Sequence, residues 1–140
     1  MLPRRLMPLK FGSRIFQASR SSPGELILIV DDEKNIRQVT SAMLEKYGYQ
    51  TLTASDGAEA LAIYKHNADK IRLVLTDMAM PVMDGATLIS ALQQLDPQPK
   101  IISASGLTSG HKTEIYADAF LTKPFTAEKL LKTLAEILRK

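Results

Sequence analysis

The chain has 140 residues, enough for one domain with a single hydrophobic core, and its 45% hydrophobic and 24% charged content is ordinary for a globular protein. It contains no cysteine, which excludes disulfides, thiolate nucleophiles and sulfur-rich metal sites. No apolar run approaches the roughly 18 residues of a membrane-spanning helix, so we expect no membrane partner.

The first 24 residues differ in composition from the rest. They hold five basic residues and no acidic one, which leaves a net charge of −2 for residues 25–140 out of a total of +3. With their prolines, glycines and serines, residues 1–24 are predicted to be a poorly ordered basic tail or linker. An organelle transit sequence is the alternative, but the apolar residues form no helical stripe. Because the positive charge is not on a structured face, we expect no nucleic-acid partner.

Strands and helices alternate from residue 25 onwards. Leu26–Val30 is a continuous apolar run, typical of a strand covered on both faces. A helix that ends at Gly48 follows. Its apolar residues recur at helical spacing: Ile36, Val39, Met43, Leu44 and Tyr47. Gln50–Ala54 is a short strand. Asp56, with Glu59 three residues later, predicts the start of a second helix.

The second half continues the alternation. Three more strands are predicted at Ile71–Thr76, Lys100–Ser105 and Ala119–Thr122. Asp84 and Gly85 open a helix that Pro97 closes, and Thr126 caps the last helix. Another helix must lie within residues 110–117, between the fourth and fifth strands. The space there is short, so we expect two turns at most.

Such alternation predicts an α/β fold, a parallel sheet with right-handed crossovers and helices on both faces. Five strands and five helices suit a flavodoxin-like (βα)5 arrangement with strand order 2-1-3-4-5. In such sheets ligands bind beyond the carboxyl ends of the strands, between the first and third. Asp31, Asp32 and Asp77 lie at that place.

Three carboxylates at one sheet edge repel one another unless a cation is present. Mg²⁺ is a hard ion that prefers oxygen ligands, and phosphoryl transfer needs that metal with an in-line nucleophile and donors for the phosphoryl oxygens. An aspartate carboxylate can be the nucleophile. Lys123, after the fifth strand, supplies a positive charge, and Ser105, ending the fourth, supplies a hydroxyl.

The motif set of these strand ends resembles that of response-regulator receiver domains over about residues 25–140. The matching stretches, in order, are Ile27–Glu33, Leu75–Gly85, Ser105–Gly106 and Phe120–Phe125. Within the family the chain looks most similar to receivers at the C-terminus of hybrid histidine kinases. The runs Gly24–Leu28 and Lys100–Leu107 carry that likeness.

The resemblance implies roles for the acidic residues. Asp77 would accept a phosphoryl group from a histidine kinase or histidine phosphotransfer protein. Asp32 and Asp77 would ligate Mg²⁺ directly, Asp31 through water, and Ala79 through its backbone carbonyl. Lys123 would pair with a phosphoryl oxygen. It would be held in place by the Lys123–Pro124 peptide bond, which is often cis in the family.

The resemblance also implies a switch. Ser105 would move to hydrogen-bond the phosphoryl group, and Phe120 would swing inward. Together they would alter the surface built by the helix within 110–117, the fifth strand and the last helix. Ser103 competes with Ser105, which we prefer because Ser-Gly fits the family pattern. We expect a cytoplasmic signalling domain rather than an enzyme, with a phosphorylation-dependent homodimer as a further option.

Other interpretations stay open. Any single aspartate here could be a helix cap or turn residue. The chain could be an inactive receiver used only for docking, or a small Mg²⁺-dependent phosphohydrolase, although Ala79 stands where a general acid is common. We interpret Met78, Met80 and Met83 as packing residues, and His66 and His111 as surface residues.

The resemblance finally implies a lifetime for the phosphorylated state. In receivers that lose the phosphoryl group quickly, polar side chains two residues after the acceptor and two after the switch hydroxyl hold the attacking water. Here Ala79 and Leu107 take those places, and neither side chain forms hydrogen bonds. We therefore predict slow self-dephosphorylation.

Overall fold

The computed structural model describes residues 24–80, 83–95, 97–106 and 117–139, and within them one parallel sheet has the order β2-β1-β3-β4-β5. The strands are β1 (Leu26–Val30), β2 (Gln50–Ala54), β3 (Ile71–Asp77), β4 (Lys100–Ser105) and β5 (Ala119–Thr122). Four of these strands have the predicted bounds, and β3 continues through Asp77. The predicted flavodoxin-like strand order is confirmed.

Continuous apolar sequence explains why the central strands are buried on both faces. Ile27, Leu28, Leu73 and Val74 are fully buried, and burying a side chain of this size contributes about 1.5–3 kcal/mol. The parallel register brings the carboxyl ends of the strands together at one edge of the sheet, because Val30 pairs with Thr76 and Asp77 pairs with Ala104.

Four helices lie in the described residues, and most begin at a side-chain cap. They are α1 (Lys34–Lys46), α2 (Gly57–His66), α3 (Gly85–Gln93) and α4 (Ala127–Leu138). Asp56, Asp84 and Thr126 each accept a hydrogen bond from the backbone N–H three residues on, as the sequence predicted. Gly48 has a φ of 97°, which suits glycine at the end of α1.

The hydrophobic core forms two clusters, one on each face of the sheet. One cluster joins β-strand residues with Leu44 of α1 and Leu130 and Leu134 of α4. The other joins them with Tyr64 of α2 and Leu88 of α3. The helices therefore cover both faces, as predicted from the alternation of elements.

Only part of the predicted apolar stripe of α1 packs on the sheet. Val39 and Tyr47 are 68% and 58% exposed, and Ile36 is exposed as well. The buried residues of α1 are Thr40 and Leu44. The helix itself is confirmed, but only part of its predicted apolar stripe, including Leu44, lies in the core.

Several predictions fall outside the described residues. They are the tail over residues 1–24 (of which only Gly24 is described), the helix within 110–117, Leu107 and His111. None of the helices in the described ranges is long and apolar enough to cross a membrane.

Candidate functional site

Three carboxylates meet at the carboxyl edge of the sheet. Asp31 and Asp32 follow β1 directly, and Asp77 is the last residue of the neighbouring strand β3. One carboxylate oxygen from each lies within 4.8 Å of the other two. Asp31 and Asp77 are buried, whereas Asp32 is exposed. This set offers hard oxygen ligands with surplus negative charge, the type of donor set that fits Mg²⁺.

Lys123 reaches across the sheet to two of these carboxylates. Its Nζ lies 3.3 Å from Asp31 Oδ2 and 3.3 Å from Asp77 Oδ1. Lys123 follows β5, and its backbone N–H donates to the carbonyl oxygen of Ser105 at 2.7 Å. The Lys123–Pro124 peptide bond is cis. One lysine thus contacts two buried carboxylates, and the cluster of three carboxylates with this lysine keeps a net negative charge.

Burial and charge act in opposite directions on the ionisation of these groups. Burial raises the pKa of Asp77, and the negative charge of Asp31 adds to this, while Lys123 lowers it. For Lys123, burial lowers the pKa, but the attraction of Asp77 and Asp31 outweighs burial, and the pKa is raised. The surroundings therefore disfavour the charged form of Asp77, because burial outweighs the attraction of Lys123, and favour the charged form of Lys123.

The turn after β3 fixes the backbone of Asp77. The N–H of Met78 donates to the Ala104 carbonyl at 3.0 Å, and the N–H of Gly85 donates to the Met78 carbonyl at 3.1 Å. A Cβ on Gly85 would lie 2.6 Å from the carbonyl oxygen of Asp77, so only glycine fits there. A backbone hydrogen bond from Ala79 acts to lower the pKa of the Asp77 carboxyl group, more weakly than burial raises it.

The two candidate switch residues lie on the last two strands. Ser105 is half-buried at the end of β4, opposite Thr122 in the register. Phe120 is 48% exposed and stands opposite Ser103, which is buried. Of the two serines, Ser105 is the one at the carboxyl edge of the sheet, where Lys123 follows β5.

Two further expectations from the sequence are confirmed. Met80 is buried in the core, and Met78 and Met83 pack against it, so these methionines are packing residues. His66 is exposed at the end of α2.

Arg37 lies beside the site, and the sequence analysis did not identify it. Its Nη1 donates to the backbone carbonyl oxygen of Asp31 at 2.7 Å, beside the carboxylates. The available signal was its position six residues after Asp31, which permits a side chain of α1 to fold back towards the end of β1.

Comparison with known proteins agrees with this geometry. The chain is 39% identical over 118 residues to the chemotaxis protein CheY of Bacillus subtilis (strain 168), covering 80% of the chain and 96% of that protein. It is 34% identical over 131 residues to the sensor kinase CckA of Brucella abortus (strain 2308), covering 91% of the chain but 14% of the kinase. It spans about half the length of several other curated relatives.

Among solved structures, a chain of the CheX–CheY–BeF3–Mg²⁺ complex from Borrelia burgdorferi is similar to this fold. The TM-score is 0.76 at 29% identity, covering 82% of this chain and 90% of that one. The family model of the response regulator receiver domain matches residues 27–135. The chain therefore belongs to the response regulator receiver domain family.

Proposed function

We propose that this receiver domain is a phosphoacceptor module of a two-component system, in which Asp77 takes a phosphoryl group from a histidine kinase or a histidine phosphotransfer protein. The observation that carries the proposal is the double contact of Lys123, whose Nζ lies 3.3 Å from both Asp31 and Asp77. That contact places a cation beside a buried carboxylate within an acidic cluster, as phosphoryl transfer to an aspartate requires.

Asp32 and Asp77, with Asp31 through water and the backbone carbonyl of Ala79, would hold Mg²⁺. The convergence of the three carboxylates within 4.8 Å supports this assignment, and the similar complex from Borrelia burgdorferi contains Mg²⁺. When bound, Mg²⁺ supplies positive charge that neutralises the carboxylates and the phosphoryl oxygens.

The chain's own residues divide the remaining work. An oxygen of the Asp77 carboxylate forms the new bond to phosphorus while the phosphorus–nitrogen bond of the donor's phosphohistidine breaks. Lys123 turns from the carboxylates to pair with a phosphoryl oxygen. The rigid backbone around Asp77, fixed by Met78 and Gly85, keeps the nucleophile in one position, and positioning supplies much of the rate in such reactions.

The same proposal includes a response to phosphorylation. The Ser105 hydroxyl, at the end of β4, would hydrogen-bond the phosphoryl group, and Phe120, now 48% exposed, would turn inward. The surface formed by β5, α4 and the segment between β4 and β5 would change with it. We propose a cytoplasmic signalling domain, either a stand-alone regulator or the receiver of a hybrid kinase, with a phosphorylation-dependent homodimer as one form of output.

Incubation with acetyl phosphate and Mg²⁺, followed by intact mass measurement, tests the proposal. We expect one phosphoryl group per chain. When a chelator is added before the donor, no adduct should form. Absence of an adduct would instead indicate an inactive receiver used for docking. Consumption of acetyl phosphate without an adduct would indicate a phosphohydrolase.

A further inference from the structure

Arg37 is the fourth residue of α1, and its side chain folds back to the loop between β1 and α1. The guanidinium Nη1 donates to the backbone carbonyl oxygen of Asp31 at 2.7 Å. Helix electrostatics does not explain this placement. The positive end of the helix dipole lies here, and it disfavours a cation. The first turn of α1 has no acidic residue that would offset it.

The hydrogen bond falls on the peptide group that joins two carboxylates of the site. Asp31 donates its backbone N–H to the Ala54 carbonyl at 3.1 Å, and one of its carboxylate oxygens accepts from the N–H of Glu33 at 2.9 Å. Its carbonyl oxygen is held by Arg37. The orientation of this carbonyl sets the plane of the peptide to Asp32, and therefore the direction in which the exposed Asp32 side chain leaves the backbone.

The charge of Arg37 also acts on a residue at the start of α2. Hydrogen bonds from Ser55 lower the pKa of Glu59, and the charge of Arg37 adds a smaller effect in the same direction. The carboxylate of Glu59 is itself held by the N–H and hydroxyl of Ser55, at 2.7 and 2.8 Å. The positive charge of Arg37 therefore acts on Glu59 as well as at the Asp31 carbonyl.

We infer that Arg37 is a positioning residue of the proposed metal site, whose hydrogen bond to the Asp31 carbonyl orients the Asp31–Asp32 peptide so that both carboxylates face a bound cation. This inference rests on the proposed function of the site. It also opposes the simple electrostatic expectation. A cation near the cluster repels Mg²⁺, so charge alone predicts tighter Mg²⁺ binding when Arg37 is removed, whereas lost orientation predicts weaker binding.

The test is Mg²⁺ titration of the complete chain without a phosphodonor, by calorimetry and by the rise in melting temperature. Arg37→Met removes both the donor and the charge, and we expect its Mg²⁺ dissociation constant to rise about tenfold, the lower end of the effect of groups that orient metal ligands. Arg37→Lys keeps a charged donor on a shorter side chain and should recover most of that loss.

The matched control is Lys34→Met, which removes one positive charge from the exposed first position of the same helix. We expect it to bind Mg²⁺ as tightly as wild type or slightly more tightly. If Arg37→Met has the same Mg²⁺ dissociation constant as Lys34→Met, the inference is overturned while the proposed function stays in place. Wild type that does not bind Mg²⁺ would instead remove the proposed function.

A folding defect is recognised from the melting temperatures measured without Mg²⁺. If Arg37→Met is unfolded, the comparison uses Arg37→Ala, which also removes the donor and the charge, in phosphorylation by acetyl phosphate at increasing Mg²⁺. A positioning role predicts a raised half-saturating Mg²⁺ concentration with the maximal rate retained. An unchanged half-saturating concentration would contradict it.

Discussion

Both ends of the sheet bury a carboxyl group, but they balance its charge differently. At the amino end, Glu25 is 8% exposed, and its Oε2 contacts Nη1 of Arg72 at 3.3 Å. The other oxygen, Oε1, has no hydrogen-bond partner among the described residues. Burial raises the pKa of Glu25, and Arg72 opposes the rise. One carboxylate is thus matched by one cation.

At the carboxyl end, three carboxylates converge and Lys123 contacts two of them. Burial raises the pKa of Asp77 there as well, and its lysine partner opposes the rise. A buried acid with a raised pKa and a basic partner therefore occurs at both ends and does not by itself identify a functional site. The surplus of negative charge, which only a further cation can balance, distinguishes the carboxyl end.

The largest expected difference between the two ends is in phosphorylation. Asp77→Asn should abolish the acid-labile adduct formed with acetyl phosphate and Mg²⁺, because the amide cannot act as the nucleophile. Glu25→Gln, the matched change at the amino end, should be phosphorylated like wild type. Intact mass measurement shows whether each variant carries the phosphoryl adduct. Undiminished labelling of Asp77→Asn would remove Asp77 from the proposed role.

The second prediction concerns the lifetime of the phosphorylated state at the carboxyl end. Replacing Ala79 by Asn and Leu107 by Glu should speed dephosphorylation roughly 10- to 100-fold, because polar side chains there can hold the attacking water. Slow loss from wild type would suit a persistent signal or a phosphorelay. Mass measurement after removal of the donor gives the decay.

The single variants Ala79→Asn and Leu107→Glu serve as controls for the dephosphorylation measurement, and each should show part of the acceleration. If wild type loses its phosphoryl group as fast as the double variant, these two positions do not set the lifetime. Leu107 lies outside the described residues.

The third prediction uses Mg²⁺ to separate the two ends by stability. At ten times its dissociation constant, Mg²⁺ should stabilise wild type by about 1.4 kcal/mol through mass action, which raises the melting temperature by several degrees. Asp32→Ala should lose this response, and relief of repulsion should offset part of any destabilisation without Mg²⁺. Glu25→Gln should keep the full response. An equal Mg²⁺ shift in Asp32→Ala would contradict its assignment as a ligand.

The smallest effect is expected at the amino end. The pKa of Glu25 is raised above its ordinary value of 4.5 in the folded chain. The folded state therefore binds the proton more tightly than the unfolded state, and the stabilisation is full below pH 4.5 and lost as pH rises through the raised pKa. Glu25→Gln should flatten this part of the stability profile, changing stability at neutral pH by about 1 kcal/mol or less.

Urea unfolding at several pH values measures that profile. The control is Glu128→Gln, which removes an exposed carboxyl group in the first turn of α4. A pH profile of Glu25→Gln identical to that of wild type would show that burial of Glu25 does not affect stability.

Much of the fold could be predicted because local sequence and tertiary structure agree. The alternation of strand-like and helical stretches predicted four strands with their observed bounds, one of them (β1) as a continuous apolar run, and polar caps such as Asp56 and Thr126 marked the helix starts. The acidic cluster was predictable too, because carboxyl ends of parallel strands meet at one edge and each aspartate follows or ends a strand.

The remainder depends on contacts that spacing does not encode. In α1 the apolar residues Ile36 and Val39 are exposed while Thr40 is buried, because the face that meets the sheet contains only part of the apolar stripe. The role of Arg37 depends on the direction in which a long side chain folds. The burial of Glu25, which precedes β1, could not be predicted, because it depends on tertiary contacts such as the ion pair with Arg72.

Gly85 has a consequence for the entropy of the reaction. With no Cβ, it lets the start of α3 press against the Asp77 carbonyl, and the hydroxyl of Thr76 donates to the same oxygen at 2.8 Å. The acceptor backbone is thus ordered by folding itself. Fixing one residue costs about 1–2 kcal/mol of conformational entropy, and that cost is met once, when the chain folds, rather than at every encounter with a phosphodonor.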